Sequence, residues 1–123
     1  MNVTGKRGED EACRYLAGEG HTIVERNWRS GRCEIDIISA DGRGLHFVEV
    51  KSRTAPTSAD PEVNVNRAKQ RHLVQAALQY LHSAGRRFPD AEVSFDIITV
   101  VFDNNTTYIN YYPQAFIPIY DRP

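Results

Sequence analysis

Asp36, Glu49 and Lys51 are the residues of this sequence whose types and spacing best suit catalytic chemistry. They lie in two strand-like runs, residues 34–38 and 45–51, which are separated by the turn sequence Asp-Gly-Arg-Gly at 41–44. The pattern predicts an antiparallel hairpin. Two carboxylates could hold a divalent cation such as Mg²⁺, which takes oxygen ligands. A nearby lysine could then orient a water molecule or stabilise charge that develops on a phosphate.

The register of the hairpin decides whether these side chains meet. If the two ends of the 41–44 turn lie opposite each other, Asp36 faces Glu49. Glu34 then faces Lys51, and because side chains alternate along a strand, all four project from one face. Directly opposed carboxylates destabilise a strand pair by roughly 0.2–1 kcal/mol, and a bound cation would remove that repulsion. A slip of one residue would separate the two carboxylates.

The apolar residues of the two runs favour this register. Ile35 pairs with Val50 on one face, Ile37 pairs with Val48 on the same face, and Ile38 falls on the other. Both faces are then largely apolar, as in a sheet that helices cover on both sides. The charged residues occupy one end of one face. A solvated strand end with ordinary salt bridges is the alternative interpretation.

Composition and charge are those of an ordinary globular protein. The 123 residues are 41% hydrophobic and 25% charged, and we expect residues 1–123 to form a single domain. A net charge of −1 does not indicate a nucleic-acid binder, but a basic patch can form without a basic protein. Solvated surface is the alternative for each local cluster. The basic clusters are Arg26, Arg29 and Arg32, then Arg67, Lys69 and Arg71, and then Arg86 and Arg87.

No targeting or metal-binding spacing is evident in the sequence. The polar N-terminus lacks the apolar stretch of a signal peptide, and no apolar run is long enough to span a bilayer. Cys13 and Cys33 have neither metal-site nor disulfide-framework spacing, so we expect a cytoplasmic, reducing compartment. The histidines lack a compact ligand pattern and are interpreted as structural or surface residues. They are His21, His46, His72 and His82.

Two helices and further strands must position the charged residues. The predicted helices cover residues 6–19 and 67–84, and the further strands cover 22–27, 93–102 and 106–112. A turn is predicted at 28–32. A loop at 52–66 could close over a substrate.

Glu9 lies on the apolar stripe of the first helix. It could reach the Asp36 site, or it could lie in the first turn, where the helix dipole favours acids. Lys69 and Gln70 begin the stripe of the second helix, either as a site rim or as an ordinary polar turn.

Several motifs together resemble a known family. In chain order they are Gly8-Glu9, Asn27-Trp28-Arg29, Glu34-Ile35-Asp36, Phe47-Val48-Glu49-Val50-Lys51-Ser52-Arg53, Lys69-Gln70 and Phe95-Asp96. The combination is similar to the bacterial YraN-like family over most of the chain. That family resembles the archaeal Holliday junction resolvases and the wider restriction-endonuclease-like PD-(D/E)XK nucleases. Cys33 stands where the family usually has Gly, and Ser94 stands where it often has Arg.

The resemblance implies an α/β, restriction-endonuclease-like single domain with a central mixed sheet flanked by helices. It implies a metal-dependent endonuclease that uses Mg²⁺ or Mn²⁺ to hydrolyse phosphodiester bonds of nucleic acid, with DNA favoured over RNA. A branched DNA substrate, a symmetric homodimer and no membrane partner are further expectations. The alternatives are a non-catalytic nucleic-acid-binding module on the same fold, and an interaction protein whose acidic cluster meets a basic partner.

The resemblance also assigns roles to individual residues. Asp36 and Glu49 would bind the metal, Lys51 would position the attacking water, and Glu9 would complete the site from its helix. Glu34 and Gln70 would be supporting groups. Flanking phosphates would be contacted by Arg29, Arg32, Arg67 and Lys69, which would give position rather than sequence specificity.

Overall fold

The computed structural model describes residues 3–55, 65–83 and 91–116. Its elements are α1 (Val3–Gly18), β1 (Thr22–Ser30), β2 (Cys33–Asp41), β3 (Gly44–Thr54), α2 (Arg67–Ser83), β4 (Val93–Asp103) and β5 (Thr106–Tyr112). Most of the predicted 52–66 loop, residue 84 of the predicted second helix, and Arg86 and Arg87 lie outside the described residues. Neither described helix combines the length and the apolar character that crossing a bilayer requires.

The five strands form one mixed sheet in the order β1-β2-β3-β4-β5. Only the pair β3–β4 is parallel among these neighbours, and the other three pairs are antiparallel. A parallel pair needs a long crossover connection, and the segment that contains α2 provides it. The expected central mixed sheet flanked by helices is confirmed.

One helix covers each face of the sheet. On the face that we call the α1 face, Ala12 and Leu16 pack with Val48 and with apolar residues of β4. On the opposite face, the α2 face, Tyr80 packs with Phe47 and with apolar residues of β2 and β4. Both faces of the central strands are therefore buried, as the apolar pattern of the hairpin predicted.

The β2–β3 hairpin has the predicted register. Asp41 pairs with Gly44 at the turn, and Ile37 pairs with Val48 at the other end of the paired segment. Ile35 departs from the prediction, because it lies in the core of the α2 face whereas Ile37 lies in the core of the α1 face. In a regular strand, the side chains of residues i and i+2 point to the same face. The prediction that they do so here is wrong, since the two isoleucines belong to different cores.

The neighbouring strand β1 is irregular at the same level. Asn27 lies between the pairs Arg26–Ile37 and Trp28–Ile35 and has a φ of 52°, a left-handed conformation that strand residues rarely adopt. β1 nevertheless continues to Ser30, so the predicted turn at 28–32 is shorter than expected. The strand continues because Arg29 and Ser30 pair with Glu34 and Cys33 of β2, and the Trp28 ring packs edge-on against Tyr80 of α2 with 5.4 Å between centroids.

Gly8 allows α1 to approach β3 closely. A Cβ atom on Gly8 would lie 2.5 Å from the Cβ of Ser52, which is much closer than two carbon atoms approach in proteins. Only glycine therefore fits at this crossing. The next residue is Glu9, so the same contact sets how near that carboxylate comes to the sheet.

We expect Gly8→Ala to destabilise the protein by about 1–3 kcal/mol, because the added methyl group must push α1 away from β3. Alanine favours helix over glycine by about 1 kcal/mol, so helix propensity alone predicts the opposite sign. Urea unfolding of the two chains measures the difference.

Ser52→Gly provides the matched control, because it removes the atom that the new methyl group would strike. Gly8→Ala should cost much less in the Ser52→Gly background than in the native chain. An equal cost in both backgrounds would show that this contact does not limit the approach of the helix.

Candidate functional site

Asp36 lies on β2 just beyond the paired part of the hairpin. The paired register runs from Ile37 opposite Val48 to the turn, and Asp36 meets β3 through its side chain. The backbone N–H of Val50 donates to Asp36 Oδ2 over 2.8 Å. A carboxylate thus replaces a backbone carbonyl as the partner of a strand N–H, and it is held next to Glu49 without the direct strand pairing that was predicted.

Burial and other acids raise the pKa of Asp36 from 3.8 to about 7. The largest cause is the loss of solvent around the carboxylate, and the next is the negative charge of Glu49. Glu9 and Glu34 act in the same direction, while the hydrogen bond from Val50 opposes them. Four of the predicted acidic residues, from α1, β2 and β3, are therefore near enough to interact electrostatically, although no three of them have ligand oxygens within 4.8 Å of one another in the described part of the chain. A cation among them would favour the ionised form of Asp36.

Glu9 projects from α1 toward the sheet and is 8% exposed. Its Oε1 atom is buried and has no hydrogen-bond partner in the described part of the chain. The side chain of Arg26 approaches this atom at 3.8 Å. The first turn of α1 contains no acidic residue, because the helix begins at Val3, earlier than predicted. The helix-dipole interpretation of Glu9 is therefore wrong, and a buried, unbonded carboxylate oxygen fits a ligand better.

The start of α2 lies beside the acidic residues. Lys69 Nζ is 3.4 Å from Glu49 Oε1, so this predicted phosphate contact forms an ion pair with a predicted metal ligand. The Gln70 side-chain amide donates to the Val65 carbonyl over 2.8 Å, which fixes the chain that enters α2. Lys51 follows Glu49 by two residues on β3, and alternation along the strand places both on one face.

The predicted phosphate contacts are all exposed side chains. Arg29 lies 3.4 Å from Glu34 in a pair that is open to solvent. Such pairs contribute little to stability, so their cations can turn toward a polyanion at small cost. The full set is Arg29, Arg32, Arg67 and Lys69.

The carboxylate cluster offers only oxygen ligands, which are the ligands that Mg²⁺ and Mn²⁺ prefer. The buried Oε1 of Glu9 lacks a hydrogen-bond partner within the described residues, and burial together with nearby acids raises the pKa of Asp36. The donor set therefore fits a hard divalent cation. The residues best placed to hold it are Asp36 and Glu49, with Lys51 on the same strand as Glu49.

A second cluster was not predicted from the sequence. Ligand atoms of His21, Asp41 and His46 all lie within 4.8 Å of one another, and no other trio of His, Cys, Asp or Glu does so in residues 3–55, 65–83 and 91–116. His21 immediately precedes β1, which pairs with β2, so these residues meet only when three strands are aligned. The hairpin register predicted from the sequence could have indicated that Asp41 and His46 lie near each other. His72 and His82 are exposed, as expected.

His46 lies between two carboxylates. Its Nδ1 is 2.7 Å from Asp96 Oδ2 and its Nε2 is 2.8 Å from Asp41 Oδ1. The hydrogen bond with Asp96 is the main cause that raises the pKa of His46, and burial opposes it. Burial is the main cause that lowers the pKa of its neighbour His21. The Asp of the Phe-Asp motif thus supports a histidine and does not join the carboxylate cluster.

Two solved structures are similar to this chain at low scores. A Holliday junction resolvase, Hjc, from Archaeoglobus fulgidus is 16% identical with a TM-score of 0.46, and the match covers 89% of this chain and 76% of that chain. SfsA from Pyrococcus furiosus, in complex with Ca²⁺, is 16% identical with a TM-score of 0.39 and coverage of 89% and 61%. Both TM-scores are below 0.5.

Sequence relatives are much more similar. A UPF0102 protein of Chlorobium limicola is 43% identical over 99 residues, which are 80% of this chain and 75% of the relative. A UPF0102 protein of Bacteroides thetaiotaomicron is 41% identical over 118 residues, which are 95% of this chain and 94% of the relative. The model of the family described as "Uncharacterised protein family UPF0102" matches residues 8–100. This chain therefore belongs to the UPF0102 family, the YraN-like family that its motifs resemble.

Proposed function

We propose that this protein is a metal-dependent nuclease that hydrolyses phosphodiester bonds of nucleic acid. One observation carries the proposal: the Val50 N–H holds the buried carboxylate of Asp36 beside Glu49, and Glu49, Glu9 and Glu34 all disfavour its ionised form. A buried carboxylate near other acids is costly to ionise without a cation.

The proposed mechanism assigns one role to each residue. Asp36 and Glu49 would hold Mg²⁺ or Mn²⁺, and Glu9 would complete the site from α1. A divalent cation bound there would supply a water of lowered pKa and would stabilise charge on the phosphate. Lys51 orients the attacking water or meets the developing charge. Lys69 forms an ion pair with Glu49 in this structure. When substrate binds, the Lys69 side chain would move from Glu49 to contact a phosphate.

The identity of the substrate rests on the family resemblance and is part of the proposal. DNA is favoured over RNA, and branched DNA is the first substrate to test. A symmetric homodimer would provide two active sites, one for each of the two strands that are cut. The exposed cations contribute position rather than sequence recognition. They are Arg29, Arg32, Arg67 and Lys69. A cytoplasmic location and a supporting role for Glu34 and Gln70 belong to the same proposal.

The exposed cations beside the site also favour a second candidate function, a non-catalytic nucleic-acid-binding module. This candidate predicts binding that weakens steeply as salt is raised, with no cleavage product. Mg²⁺-dependent cleavage separates the two functions. If the protein binds neither DNA nor RNA at low salt, the remaining alternative is an interaction protein whose acidic cluster binds a basic partner.

We expect Mn²⁺ to bind at the carboxylate cluster, because manganese takes carboxylate ligands. Calorimetric titration of the native chain should show this binding, and the double variant Asp36→Ala with Glu49→Ala should abolish it. Asp103→Asn is a suitable control, since this exposed acid lies at the end of β4. Unchanged Mn²⁺ binding by the double variant would overturn the assignment of the ligands.

We expect Asp36→Ala and Lys51→Ala each to reduce Mg²⁺-dependent cleavage of branched DNA at least about 100-fold, because each removes a group that acts in the transition state. Gel analysis of products at matched protein concentration measures the rate, and circular dichroism checks that each variant folds. Cleavage that persists in both folded variants would refute the mechanism.

The stability of the protein should depend on Asp36 and pH. The folded-state pKa of about 7 exceeds the ordinary value of 3.8, so the unfolded chain loses this proton first as pH rises. Stability from this group therefore falls between about pH 4 and pH 7. Asp36→Asn keeps an acceptor for the Val50 N–H and should raise the free energy of unfolding at pH 8 by about 1–3 kcal/mol.

Urea unfolding at pH 5 and pH 8 measures this effect, with Asp103→Asn as the exposed control. The gain from Asp36→Asn should be small at pH 5 and should grow toward pH 8. A gain of equal size at both values would show that the ionisation of Asp36 is not its cause.

A further inference from the structure

We propose that His21, Asp41 and His46 form a second metal site, for a borderline transition metal of the Zn²⁺ type. His21 immediately precedes β1, Asp41 ends β2, and His46 lies near the start of β3. Asp36 and Asp41 are five residues apart on β2, which is about 16 Å along a strand. This site is therefore separate from the proposed catalytic cluster.

The ligand atoms already have the spacing that a metal needs. Asp41 Oδ2 lies 3.4 Å from His21 Nε2, and Asp41 Oδ1 lies 2.8 Å from His46 Nε2. The two imidazole rings are neighbours, with 4.5 Å between centroids. Ligands of a tetrahedral Zn²⁺ lie about 3.4 Å from one another, since each bond is about 2.0–2.2 Å long. Small side-chain movements would close the set around an ion.

The outer nitrogen of each ring is held by a second group. His21 Nδ1 is 2.9 Å from Ser39 Oγ, and His46 Nδ1 is 2.7 Å from the Asp96 carboxylate. Both Nε2 atoms are thereby turned toward Asp41. Histidines that bind metals nearly always have their other ring nitrogen fixed in this way, often by a carboxylate.

Asp96 is itself fixed by several donors. The hydroxyls of Ser94 and Tyr111 donate to its two carboxylate oxygens, and the backbone N–H of Gln114 donates to Oδ1 over 3.0 Å. The residue is 1% exposed. The orientation of His46 therefore depends on β4 and on the chain around β5, which gives the site a rigid support.

The surroundings suit a metal with one open position. His21 and His46 are 8% and 5% exposed, so water competes little for their nitrogens. His46 also lines a pocket of about 440 Å³ together with Arg43, Ser94 and Gln114. His46 is the proposed ligand that lines this pocket, and a Zn²⁺ ion held by three protein ligands would take a water molecule as its fourth partner. His46 Nε2 faces Asp41, and a bound ion would take the place of any proton on that nitrogen.

Titration of the chelator-treated full chain tests this site. Calorimetry with Zn²⁺ and absorption with Co²⁺ should both show one site per chain. His21→Asn keeps an amide near the Nδ1 position, beside Ser39, but removes Nε2. Asp41→Asn keeps an acceptor for the Arg43 N–H, which donates to Oδ1 over 2.9 Å. Each variant should weaken Zn²⁺ binding by at least about tenfold.

Matched variants exclude the other ligands. The double variant Asp36→Asn with Glu49→Gln should leave Zn²⁺ affinity within about threefold, because it changes only the oxygen cluster. The double variant Cys13→Ser with Cys33→Ser tests the two free thiols, which are groups that Zn²⁺ favours, and it should also leave the affinity unchanged because neither cysteine belongs to the proposed ligand set. Circular dichroism and urea unfolding identify any variant that fails to fold.

Three results would overturn the proposal. They are no saturable binding of Zn²⁺ to the native chain, equal affinity in folded His21→Asn and Asp41→Asn, and loss of binding in either control variant. None of these results bears on Mn²⁺ binding at Asp36 and Glu49, so the two sites stand or fall separately.

Discussion

The pairing of β2 with β3 is the constraint on which the rest of the structure depends. Their register sets Asp41 opposite Gly44 at one end and leaves Asp36 just past the last pair at the other. A slip of one residue would exchange the faces of every paired side chain, and both faces are buried under helices. The apolar cores therefore hold both polar clusters in place, although neither cluster contributes to those cores.

Much of this arrangement is encoded locally and could be predicted. The Asp-Gly-Arg-Gly turn and the apolar pairs fix the hairpin register, and each helix shows its apolar stripe. The failures lie where distant parts of the chain meet. Ile35 changes face at the level of Asn27, which has a positive φ in the neighbouring strand. Asparagine adopts this conformation more readily than most residues, but the sequence does not show that it does so inside a strand.

The candidate site shows the same division between local and distant information. Glu9 could be selected from the stripe of α1, but its depth depends on the contact between Gly8 and Ser52. His21 and His46 are far apart in sequence and meet only because β1, β2 and β3 lie side by side. Spacing patterns find ligands that lie on one element, whereas these ligands come from three.

The two polar clusters differ in how completely the protein satisfies them. Asp96 accepts hydrogen bonds from four donors, and a network with every group paired stiffens a fold. Around Asp36, the acids Glu9, Glu34 and Glu49 each have a cation within 4 Å, but the buried Oε1 of Glu9 has no hydrogen-bond partner within the described residues. The cluster around His46 is satisfied whether His46 Nε2 carries a proton or an ion binds beside Asp41. Asp36 is different, because burial and the neighbouring acids disfavour its ionised form, and ionising it carries a free-energy cost that a cation would reduce.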